Sequence, residues 1–368
     1  MLDLSDFFAG VPDPRAANAR HELSEILLIA FAATLGGAES CVDMAAFAAA
    51  KQEALGELLV LKHGIPSHDT FSRVFKLLEP TAFEAVFRSF MAEFAAALSR
   101  KPGKAQPVLA IDGKSLRGAV DAASRTTPLH LVTAWAADQR LVLSQRRAPN
   151  RSEVTAAREI IALLDLAGAI VTADALHCSR KTAAAIRERK GDYALVIKGN
   201  RGPLYNEAQV LLADADPLDE AATTEKAHGR YEERRAVVAP VPQDWPERFG
   251  FPGLTAIARI DSLRQIGETE QRQSRYVALS RLMEPAEALR VVRTHWSIEN
   301  RQHWLLDVAF AEDRIHTRND NAAENLALLR RLALNLIRAD SDKASIRLKI
   351  KRAGWDTTYL MKLISQMR

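Results

Sequence analysis

The chain has 368 residues, of which 48% are hydrophobic and 26% are charged, and its net charge at pH 7 is +4. This length allows two or three domains with buried cores, and the composition excludes a disordered or fibrous protein. The two cysteines, Cys41 and Cys178, exclude a disulfide-rich scaffold and a cysteine-ligated metal centre, and they favour a reducing compartment.

Charge is unevenly distributed along the chain. Residues 314–368 hold 12 Lys and Arg against 5 Asp and Glu, which makes them a candidate polyanion surface, although a solvated helix face explains them as well. Asp3 and Asp6 stand where a signal peptide would carry basic residues, and the longest uncharged run, residues 26–38, is too short to span a bilayer. We therefore expect a cytoplasmic protein with no membrane partner.

The first hundred residues predict helices only, because their apolar residues recur at helical spacing and few are β-branched. Within them, Gly64 and Pro66 end one predicted helix and Ser67 caps the next. A helix, a tight turn and a second helix form the outline of a DNA-reading motif, in which Arg73 would face outward. A plain helical hairpin has the same outline, so both interpretations stay open.

Two apolar strands that end on aspartates follow. Residues 108–111 predict a buried strand that ends at Asp112, with Gly113 turning the backbone away. After a predicted hairpin and a helix capped by Ser152, a second apolar run stops at Asp174. If both strands share one sheet, the two carboxylates meet at one edge, where they repel unless a proton or a divalent cation intervenes. Either aspartate alone is also typical of a turn that merely ends a strand.

A third buried strand, residues 193–197, leads into Lys198 and Asn200. A cationic strand exit suits a phosphate better than a metal ion. From residue 203 onward, strand-like runs are separated by prolines, which predicts a β-rich insertion rather than a continuation of the alternating core.

The next predicted helix has five residues on one face: Val292, His295, Trp296, Glu299 and His303. An unpaired carboxylate on such a face is costly, so Glu299 needs a partner. The partner is a metal shared with the two aspartates, a neighbouring His, or a metal held by Glu299 and His303 alone. Asp307 and Asp313 are rival acids for the same role. A last helix is predicted over residues 321–338.

Six blocks of the sequence resemble, in order, those of the H-repeat-associated insertion-sequence transposases, a branch of the DDE transposases. The blocks are residues 110–118, 168–175, 192–200, 228–232, 295–300 and 322–335. The helical front also takes part through residues 63–71, so the resemblance covers nearly the whole chain.

The resemblance implies an α/β fold with a ribonuclease H-like catalytic core and a β-rich insertion, preceded by an all-helical N-terminal domain and followed by C-terminal helices. We expect the helical, DNA-binding or associated domain at 1–100 and the first part of the core at 107–202. The insertion would occupy 203–283, and the catalytic helix and C-terminal helices would complete the core at 284–368.

The same resemblance implies Mg²⁺-dependent DNA cleavage and strand transfer, with Mn²⁺ as a substitute ion. The family's three acids correspond to Asp112, Asp174 and Glu299, which would be both catalytic residues and metal ligands. Candidate contacts to DNA phosphates are Lys114, Arg117, Lys198, Asn200, Arg230 and Arg73. The implied partners are the element's terminal inverted repeats and target DNA, which places the protein at the nucleoid. A homodimer is expected in the synaptic complex, because two ends must be joined.

The sequence departs from the wider family near Glu299. Related transposases place a Tyr and an Arg before the catalytic Glu and a Lys after it at fixed spacing, whereas this chain has His295 four residues before Glu299 and Leu306 seven residues after it. Two alternative functions stay open. One is a ribonuclease H-like nuclease that cuts without joining, and the other is a catalytically inactive, domesticated DNA-binding protein.

Overall fold

The computed structural model describes residues 4–98, 106–120, 128–148, 150, 152–213, 220–227, 230–314 and 320–366. In these ranges, six helices precede the first strand: α1 Leu4–Ala9, α2 Leu23–Leu35, α3 Cys41–Ala50, α4 Gln52–Gly56, α5 His68–Leu77 and α6 Pro80–Leu98. The helical character of the first hundred residues is therefore confirmed over the part that is described.

The described strands form one nine-stranded sheet in the order β3-β2-β1-β4-β5-β9-β8-β7-β6. Their bounds are β1 Val108–Val120, β2 Pro128–Ala136, β3 Leu141–Arg147, β4 Ile170–Ala173, β5 Asp192–Ile197, β6 Glu220–Ala227, β7 Arg230–Pro240, β8 Ala256–Ile266 and β9 Thr269–Leu279. β4 runs parallel to both of its neighbours, β1 and β5, and the other strand pairs are antiparallel.

The remaining helices are α7 Glu153–Leu163, α8 Arg180–Glu188, α9 Gly202–Leu211, α10 Trp245–Phe249, α11 Pro285–His295, α12 Trp304–Phe310, α13 Asp320–Ala339, α14 Ile346–Trp355 and α15 Thr357–Ser365. A π-helical segment, Glu299–His303, joins α11 to α12. The predicted cap of α5 is confirmed, because the hydroxyl of Ser67 accepts the N–H of Thr70. The predicted cap of α7 is wrong, because Ser152 occupies the N-cap position but its side chain makes no capping hydrogen bond.

Helices cover both faces of the sheet. α7 to α10 share a core with one face, and all the other described helices pack against the opposite face. Along β1, Leu109 and Ile111 enter the first core while Val108 and Ala110 enter the second, as alternation along a strand requires. The prediction of a strand buried on both sides is thus confirmed. No helix in the described ranges is long and apolar enough to cross a membrane.

The predicted end of the first strand is wrong. β1 continues past Asp112 to Val120, because its antiparallel pairing with β2 extends to Leu116 opposite Leu129. The parallel pairing with β4 is shorter and stops at Ile111 opposite Ala173. At Asp112, β1 therefore loses its partner β4 on one side while it continues to pair with β2 on the other.

The sequence suggested that the β-rich insertion does not continue the alternating core, but in the structure its strands join the same sheet. β9 pairs antiparallel with β5, from Ala194 opposite Leu279 to Ile197 opposite Tyr276, so the insertion continues the same sheet. β6 was not predicted, because its residues are mostly small or charged and show no apolar alternation.

The prediction of a tight turn in the DNA-reading motif is also wrong. Residues 57–67 lie between α4 and α5, whereas such motifs have a turn of about three or four residues. The Glu25 side chain accepts the backbone N–H groups of Val60 and Leu61 at 2.9 and 3.0 Å, which anchors this long connection to α2. Arg73 is nevertheless exposed on α5, as predicted.

The N-terminal helices are held to α13 by a buried amide. Asn325 is fully buried, and its Nδ2 donates to the carbonyl oxygens of Phe75 and Leu78 at 3.1 and 2.9 Å. These carbonyls at the end of α5 lack partners within their own helix. One side chain of α13 therefore caps the helix of the N-terminal segment that carries Arg73.

We predict that Asn325→Ala destabilises the protein by about 2–4 kcal/mol, because it leaves two buried carbonyls without donors. Urea denaturation measures the change. Asn321→Ala is the matched control on the same helix, since Asn321 makes only a 3.5 Å bond to the Lys76 carbonyl. Equal losses in the two variants would contradict this role for Asn325.

Candidate active site

The two aspartates predicted to meet do lie side by side. Ile111 and Ala173 are register partners in parallel strands, and Asp112 and Asp174 directly follow them. Alternation along each strand directs both carboxylates to the face covered by α11. Asp174 Oδ1 also accepts the N–H of Leu176 at 3.0 Å, which fixes the turn after β4.

Asp112 is the electrostatic centre of the site. Burial raises its pKa from 3.8 to about 7, although a hydrogen bond from the Gly113 backbone acts in the opposite direction. The carboxylates of Asp174, Glu299 and Glu153 raise this pKa further, because they repel a charge on Asp112. Three acids from separate parts of the sequence therefore act on Asp112.

The helix that carries Glu299 differs from the prediction. α11 ends at His295, and residues 299–303 form a π-helix, whose wider turns change which residues share a face. Gln302 is fully buried and its Nε2 lies 3.3 Å from Thr133 Oγ1, whereas Glu299 is exposed. The expectation of five residues on one continuous helical face is therefore wrong, although Glu299 still acts on Asp112.

The neighbouring histidines have partners other than Glu299. His295 is buried, and its Nδ1 lies 3.2 Å from the hydroxyl of Thr172. His303 Nδ1 lies 3.7 Å from Asp112 Oδ2. Burial lowers the pKa of His295 to about 4 and that of His303 to about 3, so both are neutral at pH 7. His295, which stands four residues before Glu299, where related transposases have an arginine, is thus buried and neutral.

Glu153, at the start of α7, is a site residue that the sequence did not reveal. Its carboxylate lies 2.9 Å from His130 Nε2 and 3.5 Å from His177 Nε2, and hydrogen bonds from these two rings lower its pKa to about 2. His177 is fully buried and also lies 3.8 Å from Asp174 Oδ1. The sequence feature that could have indicated Glu153 is its position at the start of the helix between the two strands that lead to Asp112 and Asp174.

Gly113 is required by close packing rather than by a turn. A Cβ at this position would lie 2.4 Å from His130 Nε2 and 2.7 Å from Glu153 Oε2. Since side chains alternate along β1, position 113 faces α7 while Asp112 faces α11. The glycine therefore lets Glu153 approach the backbone beside Asp112 from the opposite side of the sheet.

The predicted phosphate contact of Lys114 is wrong. Its side chain is buried, and Nζ lies 2.7 Å from Asp307, 3.0 Å from Asp313 and 3.3 Å from Glu312. Three carboxylates occupy the ammonium group, which has three donors. The same contacts account for Asp307 and Asp313, the rival acids of the sequence analysis, as partners of Lys114.

Four other predicted phosphate contacts are exposed: Arg73, Arg117, Lys198 and Arg230. Two of these already have an acidic neighbour, because Arg117 Nε lies 3.4 Å from Asp313 and Arg230 Nε lies 2.7 Å from Glu232. Asn200 falls in a 3-10 turn, Gly199–Arg201, and its side chain lies outside the described part of the structure.

The donor chemistry of the acid cluster fits a divalent cation. Carboxylate oxygens are the ligands that hard ions such as Mg²⁺ prefer, and a cation would offset the repulsion that Asp174 and Glu299 add to the effect of burial on the pKa of Asp112. In the ranges that the structure describes, no three His, Cys, Asp or Glu side chains are already close enough together to hold an ion.

We predict that Asp112→Asn stabilises the metal-free protein at pH 8 by roughly 2–4 kcal/mol. The pKa of Asp112 is about 7 in the folded protein against an ordinary value of 3.8. Between pH 4 and pH 7 the folded protein therefore holds a proton on Asp112 that the unfolded chain has lost. The stabilising contribution of Asp112 is therefore complete below pH 4 and is lost as the pH rises through 7. Thermal unfolding in EDTA at pH 4 and pH 8 measures the effect.

The exposed Asp244→Asn is the control for this experiment, because Asp244 lies far from the cluster on the α10 side. Mg²⁺ should raise the melting temperature of the wild type and of the control but not that of Asp112→Asn. An Asp112→Asn protein no more stable than the control at pH 8 would contradict the electrostatic account.

Comparisons with known proteins agree with the resemblance seen in the sequence. A family profile described as "Transposase DDE domain" matches residues 103–336, and one described as "DDE_Tnp_1-associated" matches residues 5–91. The chain is 32% identical to the Escherichia coli K12 protein named "H repeat-associated putative transposase YhhI", over 98% of this chain and 97% of that one. It is 38% identical to an uncharacterized protein in the dhlA 3′ region of Xanthobacter autotrophicus, over 76% and 95%.

A solved structure titled as a piggyBac transposase synaptic complex with hairpin DNA matches with a TM-score of 0.43 and 9% identity. The match covers 100% of this chain and 82% of the other, but it is too remote for any conclusion to rest on it. The profile and sequence matches are sufficient. The chain belongs to the H-repeat-associated family of DDE transposases.

Proposed function

We propose that this transposase uses Asp112, Asp174 and Glu299 to bind divalent metal ions, preferably Mg²⁺, and that it cuts and joins DNA at this site. The observation that carries the proposal is the placement of Asp112 and Asp174 directly after the register partners Ile111 and Ala173 of two parallel strands. Glu299 lies close enough to this pair for its charge to add to the raised pKa of the buried Asp112. Repelling carboxylates cost stability unless a cation compensates them.

The topology supports a ribonuclease H-like catalytic core. The antiparallel strands β1, β2 and β3 continue into parallel β4 and β5, with the first two acids on β1 and directly after β4. The third acid comes from the helical segment that packs on the same face. This core would begin near residue 107, and the insertion would extend its sheet beyond β5.

Each group of the chain has a definable task in this proposal. When bound, divalent ions activate the entering oxygen and stabilise the leaving oxygen of an in-line phosphoryl displacement. Asp112 and Asp174 supply oxygen ligands from the rigid sheet, and Glu299 supplies one from the π-helix. His303 remains neutral beside Asp112 and so adds no competing positive charge.

The proposed substrate is DNA, namely the inverted repeats that end the element and then the target. Water would cut the element's end first, and the freed 3′-hydroxyl would attack the target at the same site. Arg73, Arg117, Lys198 and Arg230 remain candidate phosphate contacts because they are exposed cations. Two ends must be brought together, so we propose that two copies of the chain act in the synaptic complex.

We predict that Asp112→Ala, Asp174→Ala and Glu299→Gln each lower Mg²⁺-dependent nicking of a DNA end by about a hundredfold or more. The loss follows from removal of an oxygen that compensates charge in the transition state. A nicking assay on inverted-repeat DNA measures it, with Asp165→Asn as the exposed-acid control. DNA binding in EDTA should persist in all four variants, and normal nicking by an active-site variant would refute the assignment.

We predict joining as well as cutting. A pre-nicked donor end with a free 3′-hydroxyl, incubated with a plasmid target and Mg²⁺, should yield a covalent donor–target product with the wild type and none with Asp174→Ala. Because Ca²⁺ supports binding better than catalysis in such sites, replacing Mg²⁺ by Ca²⁺ should abolish the product. Cutting without any joined product would favour the nuclease alternative, and absence of both would favour an inactive DNA-binding protein.

A further inference from the structure

Three arginines outside the acid cluster come together beside the π-helix. Arg140 lies in the turn between β2 and β3, Arg301 lies in the π-helix two residues after Glu299, and Arg338 lies near the end of α13. We refer to these three residues as the arginine triad. Arg140 and Arg301 are exposed, and Arg338 is partly buried.

Arg338 holds the other two segments in place. Its Nη1 donates to the carbonyl oxygen of Arg140 at 3.2 Å, and its Nη2 donates to the carbonyl oxygen of Arg301. Its guanidinium also lies 4.6 Å from the centre of the Trp135 ring, which is a favourable cation–π position. Arg338 therefore fixes the turn and the π-helix relative to each other through their backbone carbonyls. The guanidinium groups of Arg140 and Arg301 take no part in these hydrogen bonds.

The positive charges of the triad lack acidic partners. In the part of the chain that is described, no carboxylate forms an ion pair with any of the three residues. The nearby Asp138 instead accepts the N–H of Val108 at 2.9 Å and lies 3.9 Å from Arg290. Burial and mutual repulsion lower the pKa of Arg338 to about 9, and they also lower that of Arg301.

The local backbone conformations of the triad are costly. Arg140 has a φ of +60°, in the left-handed region that side chains other than glycine rarely adopt. Arg301 lies in a π-helix, a form that is rare and concentrated at functional sites. The contacts of Arg338 are structural, but they do not explain why Arg140 and Arg301 carry exposed positive charges on these two costly conformations. Among the described residues neither side chain has an acidic partner, so a ligand of opposite charge accounts for them.

The triad opens into a groove that leads to the proposed catalytic glutamate. Arg140 and Arg301 line a cavity of about 540 Å³, and this cavity shares Trp296 and Asn300 with a second cavity of about 480 Å³ that contains Glu299. Two other arginines of the groove are already paired with acids, because Arg230 contacts Glu232 and Arg293 contacts Glu225. Arg275 instead lies 5.0 Å from the centre of the Trp296 ring, between the two cavities. Positive charge without an acidic partner among the described residues therefore lies at the triad end and along the groove at Arg275.

We propose that the arginine triad binds a backbone phosphate of the DNA strand that leads into the acid cluster. The inference rests on the proposed function, since it requires that DNA enter this site. Guanidinium forks match phosphate oxygens in geometry and charge. The open groove, continuous past the aromatic face of Trp296 to Glu299, fits an extended strand better than a small free anion.

The test compares DNA binding by variants that preserve the fold. Arg140→Gly suits the positive φ and removes the guanidinium, and Arg301→Gln removes the second charge. Arg248→Gln is the matched control, because Arg248 is exposed on α10 at the opposite face of the sheet and pairs with Glu207. Fluorescence anisotropy in EDTA, with an oligothymidylate strand and a duplex of arbitrary sequence, gives affinity as a function of salt.

We expect each triad variant to bind the single strand about tenfold more weakly than the control, with the salt slope reduced by about one. Arg301→Lys should keep the slope, because it keeps the charge. If the wild type binds and nicks DNA while both triad variants match Arg248→Gln, the inference is overturned and the proposed function stands. If the acid variants cut normally, the proposed function fails whatever the triad shows.

Discussion

The structure depends on a repulsion that the folded chain does not relieve by itself. Burial raises the pKa of Asp112 to about 7, and the charges of three other carboxylates act in the same direction. The surrounding groups hold this arrangement: neutral His303 on one face of the sheet, and Glu153 with His130 and His177 on the other. A fold that keeps such a cluster gives up stability at neutral pH, and a bound cation would recover it.

The sequence was sufficient where a local pattern determines the structure. The apolar runs before Asp112 and Asp174 predicted two buried strands, and parallel pairing brings the two acids together. The cap at Ser67 depends on a residue only three positions away and was predicted for that reason, whereas Ser152, which the same pattern predicted as a cap, makes no capping hydrogen bond. Family membership, which the resemblance of six blocks in order indicated, was confirmed over most of the chain.

What the sequence did not predict depends on long-range packing. Lys114 looked like an exposed phosphate ligand, and only the tertiary fold brings Asp307, Asp313 and Glu312 around it. A helical period assumes 3.6 residues per turn, so it cannot anticipate the π-helix that turns Gln302 inward and leaves Glu299 exposed. The length of β1 was missed because an antiparallel partner extends it beyond its apolar run.

The π-helix connects the acidic site with the arginine triad. This short segment carries Glu299, whose charge acts on Asp112, His303, which lies beside Asp112, and Arg301, a member of the triad. The most direct measurement is anomalous diffraction from a crystal soaked in Mn²⁺. The account predicts an anomalous peak within about 2.2 Å of carboxylate oxygens of both Asp112 and Asp174. A well-ordered site without such a peak, or an ion bound only elsewhere on the chain, would contradict it.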